Sequence, residues 1–170
     1  MAKESSKSKI MRETAENLRK TLSEVLPLLE NIGDEAASVK PLPDKWSKKE
    51  ILGHLIDSAC NNQQKFVRTM AEKHVEFVGY QQNFWVDSQK YNAANWLGLV
   101  NLWQAYNLHL AHLIENVDSE ILANEITIEG AGTFSLRFIM KDYVEHLKHH
   151  LGQILPEANL KNEFQNIYNT

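Results

Sequence analysis

Apolar side chains return every three to four residues in four long stretches of the chain, the period of a helix with one buried face. In the first, about residues 6–31, they are Ile10, Leu18, Leu22, Val25, Leu26 and Leu29. Pro27 falls inside this stretch and is expected to kink it or fray its last turn, with Gly33 as the stop. The second, about residues 47–73, carries Ile51, Leu52, Leu55, Ile56, Ala59, Phe66, Val67 and Met70. Its start is marked by Ser47 with Glu50 three residues later, a capping box, and Trp46 stands where it can staple against Ile51. Service as a pocket residue is the alternative for Trp46. The third, about residues 93–116, has the stripe Trp96, Leu99, Val100, Trp103, Tyr106, Leu110, Leu113 and Ile114, which at this spacing belongs in a core. The fourth, about residues 135–155, starts from Ser135 as cap, runs through Leu136, Ile139, Met140, Tyr143, Leu147, Leu151 and Ile154, and stops before Pro156.

Between these stretches the pattern changes. Pro41 and Pro43 forbid helix in the linker at residues 39–45. Residues 74–92 read as a long connection containing Tyr80, Gln81, Gln82, Asn83, Phe84 and Trp85. A loop of that length is unusual in a compact domain. It either closes over a pocket or, on the plainer reading, folds Phe84 and Trp85 back onto the helices. Asp118 and Ser119 can cap a short turn through Leu122. Ile126, Thr127 and Ile128, a Gly-containing turn, then Thr133 and Phe134 suggest a small hairpin. The tail beyond Pro156 is polar and weakly helical. The fold expected is all-α: one four-helix-bundle domain over residues 1–170, its long connections suiting pairings between helices that are not neighbours in sequence.

Charge and composition narrow the function. The 170 residues carry a formal net charge of −4 with both signs interspersed, so no basic footprint for nucleic acid is visible. The first residues are polar, without the apolar region of a signal peptide, and no apolar run is long enough to span a bilayer. A soluble, cytoplasmic protein with no membrane or nucleic-acid partner is expected. Cys60 is the single cysteine, which rules out an intramolecular disulfide and a cysteine zinc site. It borders the apolar stripe of the second helix and reads as inert packing.

The chemistry concentrates in Asp142-Tyr143-Val144-Glu145-His146-Leu147-Lys148-His149-His150. Four-residue spacing puts His146 and His150 on one side of a helix, one turn apart, within about 20° of Ile139 on the core side. His149 falls away from them, and His109 and His112 fall off the stripe of the third helix. Two partly buried imidazoles need polar partners, which either a metal ion or a hydrogen-bonded structural pair supplies. On the second helix His54 lies just outside the apolar stripe, in a polar row with Ser58, Asn61 and Asn62. A solvated face is the plainer reading of that row, and the wall of a cleft is the other. No His-Glu-x-x-His, di-iron, phosphate-loop or Gly-x-Ser-x-Gly pattern occurs. What survives is a trio of His54, His146 and His150. Three protein nitrogens with a position left for water is the open arrangement of a catalytic site, here for one divalent ion, zinc or nickel.

The string Trp46-Ser47-x-x-Glu50-Ile51-Leu52-Gly53-His54-Leu55-Ile56-Asp57, with His146-x-x-x-His150-Leu151-Gly152-Gln153-Ile154 about ninety residues later, resembles the DinB/YfiT-like family of metalloenzymes. The resemblance extends from the first helix to Ile154. It implies an up-down-down-up four-helix bundle with a metal held by His54, His146 and His150. Leu151 stands where the family often has Arg. Family members of known activity depend on thiols: transferases using bacillithiol or mycothiol, and a maleylpyruvate isomerase. The resemblance therefore implies a thiol S-transferase acting on small electrophiles, with a small-molecule thiol or electrophile as partner. A metal-dependent hydrolase, or a non-enzymatic stress-response or ligand-binding bundle that pairs as a homodimer, are the alternatives. Asp57, Asn61, Tyr106 and Gln153 are the candidates to orient substrate or water.

Overall fold

In order along the chain come α1 (Ser6–Glu30), α2 (Asp34–Ser38), α3 (Lys48–Ala71), β1 (His74–Phe77), α4 (Gln82–Gln89), α5 (Trp96–Glu115), β2 (Glu125–Ile128), β3 (Gly132–Ser135) and α6 (Leu136–Ile154), in a computed structural model that describes residues 6–166. The four long helices are the four expected stretches, their ends differing by no more than three residues. They form the expected four-helix bundle. Helix α1 packs against α5 and α6, and α3 packs against the same two helices. Sequence neighbours α1 and α3 therefore face each other across the bundle, as do α5 and α6, which is the non-adjacent pairing that the long connections suggested. The stripes read from the sequence fill the space between. Leu18, Val25, Leu29, Leu52, Phe66, Val100, Trp103, Leu110, Leu147 and Leu151 are all fully buried.

The helix starts obey local rules. The Ser47 side chain accepts from the Glu50 N–H at 3.2 Å, and the Ser47 N–H donates to Glu50 Oε2 at 2.7 Å, so the capping box is complete. Asn95 caps α5 by accepting from Gly98 N–H at 2.9 Å, and Ser135 caps α6 by accepting from Phe138 N–H at 3.3 Å. Pro27 lies in the last turn of α1, where its carbonyl still accepts from Asn31 N–H at 3.3 Å and its missing N–H does not break the helix body. The short α2, absent from the expected elements, ties three helices together. Asp34 accepts from Trp96 N–H at the start of α5 at 2.7 Å and from Lys49 Nζ on α3 at 2.9 Å, while Trp96 Nε1 donates to the Leu29 carbonyl of α1 at 2.8 Å.

The connection at residues 74–92 departs from expectation. It holds β1 and α4 rather than irregular loop. Strand β1 runs parallel to β2, with Val75 opposite Ile126, and β2 pairs antiparallel with β3, with Ile126 opposite Phe134. The hairpin was legible because its two strands are adjacent in sequence. The third strand was not, since its partner lies about fifty residues away. Phe84 is 66% exposed and does not fold back onto the bundle, whereas Trp85 is half-buried with its ring 4.9 Å from that of Tyr80. The sheet lies where α3 ends and α6 begins, and with the 79–83 segment it frames one mouth of the space between those two helices. Among the described residues, no helix is long and apolar enough to cross a membrane.

Candidate metal centre

Helices α3 and α6 pack against each other, and the side that α6 turns toward α3 carries His146 and His150. Opposite them on α3 stands His54. One nitrogen from each of the three lies within 4.8 Å of the other two. His54 Nε2 and His146 Nε2 are 3.3 Å apart, and the ring centroids are separated by 5.2 Å (His54 to His146), 4.7 Å (His54 to His150) and 4.5 Å (His146 to His150). The three imidazoles predicted from the sequence thus converge on one point.

His54 is completely buried. The polar row on α3 is therefore not a solvated face: Ser58, Asn61 and Asn62 are buried with it. A helical wheel of α3 alone could not show this, because α6 covers its second face. The two amides there occupy themselves with their own helix, Asn61 Nδ2 donating to the Asp57 carbonyl and Asn62 Nδ2 to the Ser58 carbonyl, both at 2.9 Å.

Burial dominates the electrostatics. It pushes His54 down to about 3 and His150 to about 4, and the neighbouring imidazoles add to the effect; the Gln153 hydrogen bond partly offsets it at His150. His146 is held well below the usual histidine range by the same burial, then by His150, His54, His149 and Lys65. All three rings are neutral at pH 7, the form that binds metal. Two of them are oriented through the other ring nitrogen. His146 Nδ1 meets Ser58 Oγ at 3.4 Å, and His150 Nδ1 meets Gln153 Oε1 at 3.2 Å. Such partners fix a ring's tautomer and leave Nε2 for an ion. Nδ1 of His54 is buried without a protein partner.

This donor set suits a divalent ion. Nitrogens about 2.0–2.1 Å from a tetrahedral zinc sit about 3.3 Å from each other, which is the His54–His146 separation. Without an ion, two neutral Nε2 atoms face each other across a buried gap, and only one of them can carry a proton.

The remaining candidates are placed unequally. Gln153 touches His150 and also donates from Nε2 to His149 Nε2 at 3.2 Å. His149, expected outside, is half-buried, its ring 5.1 Å from that of His150. Asp57, Asn61 and Tyr106 do not reach the three nitrogens. Tyr106 donates to Gln63 Oε1, and half-buried Cys60 lies near that hydroxyl. Asp57 is locked by Tyr91 OH and Gln89 Nε2, both donating to Oδ1 at 2.7 Å. Burial raises the Asp57 carboxyl and those hydrogen bonds pull it back, while burial and Asp57 together hold the Tyr91 hydroxyl protonated.

Tyr91 was missed by sequence reasoning, although one signal pointed to it. Gly53 stands in the interior of α3, where glycine weakens a helix unless something comes close. An added Cβ there would lie 2.2 Å from the Tyr91 ring. Tyr91 thus packs on the residue before His54 and bonds the carboxylate three residues after it, fixing that turn of α3. Trp46 sets its ring 5.2 Å from the His54 ring, so it stands beside the site. In the tail Phe164 packs 5.1 Å from the His146 ring and 5.2 Å from that of His149, and Glu163 N–H donates to Glu145 Oε2 at 2.8 Å. Nothing in the periodicity of so polar a tail marked Phe164.

A cavity of about 810 Å³ opens beside the trio, reached past Ser58 and His146. Asn62 and Lys65 of α3, Asp142 and Tyr143 of α6, Tyr80 to Asn83, and the turn between β2 and β3 line the rest. The 74–92 connection, suspected as a lid, contributes Gly79 to Asn83 to its wall.

A model of the DinB superfamily matches residues 17–154 of the chain. Among solved structures, the chain is similar to YfiT from Bacillus subtilis, described as a probable metal-dependent hydrolase with an unusual four-helix bundle topology; identity is 18%, the TM-score is 0.70, and the match covers 93% of this chain and 89% of that one. At that identity the likeness speaks for the fold. No curated protein matches the chain.

Proposed function

The chain belongs to the DinB superfamily, and from that premise we propose that it is a metal-dependent enzyme in which His54, His146 and His150 hold the ion and a small-molecule thiol is the nucleophile. The carrying observation is the convergence of three neutral imidazole nitrogens within 4.8 Å beside a cavity of about 810 Å³. A divalent ion bound there would lower the pKa of a coordinated thiol or water, as such ions do.

Two features favour a thiol over water. Among the described residues, no carboxylate joins the histidine cluster at ligand distance, so the chain places no base directly beside the ion. A thiol, with a pKa near about 8.5, needs far less help to ionise than water at about 15.7. The cavity is also large, toward the upper end of the roughly 300–1,000 Å³ usual for ligand sites. That leaves room for a thiol and a small electrophile together. The residues' parts follow from their positions. His146 and His150 are pinned by Ser58 and Gln153, Tyr91 and Trp46 hold the turn that bears His54, and Phe164 shields one side of the rings from water. Zinc or nickel suits three imidazoles.

Hydrolysis is the second reading, favoured by one observation: Asp142 lines the cavity one turn before His146, where a carboxylate could take a proton from water. The test is to load the protein with zinc, nickel or manganese in turn and follow transfer of a panel of thiols to chlorodinitrobenzene. There sulfur bonds to the ring carbon, chloride leaves, and the thiol proton passes to solvent. Metal-dependent turnover that disappears in His150→Ala is the expected result. Fully metallated protein that turns over no thiol but cleaves an activated ester would move the assignment to the hydrolase.

A further inference from the structure

The cavity wall carries two opposite charges outside the three-histidine cluster. Lys65 is only 7% exposed, and its ammonium sits 5.4 Å from the Phe77 ring. Asp142 of α6 lies close enough to act on it electrostatically, and Lys65 in turn acts on His146. Both side chains line the cavity that reaches His146. The other charged group in the lining, Glu129 on the turn between β2 and β3, is exposed and so is screened by water.

A buried lysine is expensive unless paired. Burial lowers the Lys65 amine to about 8 while Asp142 draws it back up, so it remains charged at neutral pH. A pair of this kind in a cavity wall discriminates among ligands. A ligand with only a negative group gains from Lys65 but is repelled by Asp142, and one with only a positive group meets the reverse. A ligand bearing both charges side by side meets each wall group with the opposite charge, with no net charge brought into the cavity. Asp142 and His146 are one helical turn apart, about 5–6 Å between Cβ atoms. A group bound at the wall therefore stands several bonds away from one bound at the histidines.

We propose that Lys65 and Asp142 form a subsite for a zwitterionic amino-acid head, so that the thiol used by this protein is a small one carrying an α-amino and α-carboxylate group several bonds from sulfur. The carboxylate faces Lys65 and the ammonium faces Asp142. This rests on the thiol reading above.

Glutathione serves as the probe, since its γ-glutamyl head is zwitterionic and remote from the thiol. Its N-acetyl derivative lacks the ammonium and its diethyl ester lacks the carboxylates, yet both keep the thiol's surroundings. Binding to the cobalt-substituted protein is read from the sulfur-to-cobalt charge-transfer band, with 2-mercaptoethanol as the headless reference. Glutathione is expected to bind at least tenfold more tightly than either derivative, and Lys65→Met or Asp142→Asn to remove that preference, read in each variant as the ratio of glutathione affinity to mercaptoethanol affinity. Glutathione and its two derivatives binding wild-type protein within twofold of one another would overturn the subsite, whatever the variants do. So would a band with mercaptoethanol but none with glutathione. No band with any thiol, in protein that retains its cobalt, would overturn the thiol reading itself and the subsite with it.

Discussion

Gln153 shows how much a single side chain outside the ligand set can decide. Its carbonyl oxygen meets His150 Nδ1 at 3.2 Å, and its amide nitrogen meets His149 Nε2 at the same distance. Gln153→Leu keeps the volume and loses both contacts. Metal affinity is expected to fall by about tenfold to a hundredfold, as when other such supporting groups are removed, with the melting temperature of the metal-free protein little changed. Titration calorimetry with zinc checks it, and an unchanged affinity would mean that the ring needs no such partner. At this scale the pairing of His146 and His150 in the cluster was legible because four-residue spacing and core-side placement mark them within one helix. The burial of His54 was not, since it depends on the packing of α6, which α3 does not encode alone. Asp57 stood out in the sequence as a group to orient substrate or water, yet its carboxylate is tied to Tyr91 and Gln89 and does not reach the histidines.

The elements follow local rules wherever those rules are strong. The capping box at the start of α3 is present as read, and the Ser47 hydroxyl additionally donates to Asn92 Oδ1 at 2.7 Å. Ser47→Ala is therefore expected to cost about 1–2 kcal/mol, toward the upper part of the range for lost caps. A urea titration with an unchanged midpoint would show the cap to be unimportant. Where pairing is non-local, reading fails: β1 has only four residues and its partner strand follows two intervening helices. Pro41 and Pro43 correctly marked the linker, while α2, a five-residue helix just before it, is too short to leave a periodic signature. The bundle itself was legible because four stripes, each several turns long, outweigh such details.

For the whole molecule, the buried histidines couple stability to pH. The folded state holds His54 near about 3 and His150 near about 4, below the ordinary value of 6.5 that the unfolded chain recovers. Below pH 6.5 the unfolded chain thus binds protons that the folded chain refuses, and stability falls with pH across the window down to about 4 and then 3. The metal-free protein is expected to lose melting temperature steadily from about pH 7 to about pH 5, with a shallower loss in His54→Leu. Equal slopes in the two proteins would remove His54 as a cause. An ion that binds only the folded state raises the melting temperature by mass action, and acid opposes this by protonating its ligands.

The central claim, that His54, His146 and His150 together hold one ion, is tested most directly by metal content. Protein purified without a histidine tag, dialysed against zinc and then against metal-free buffer, is analysed by mass spectrometry beside the triple variant His54→Ala/His146→Ala/His150→Ala. About one zinc per wild-type chain and almost none in the variant is the result expected from an open site with three nitrogen ligands. Equal zinc in both proteins would place the metal elsewhere and contradict the assignment.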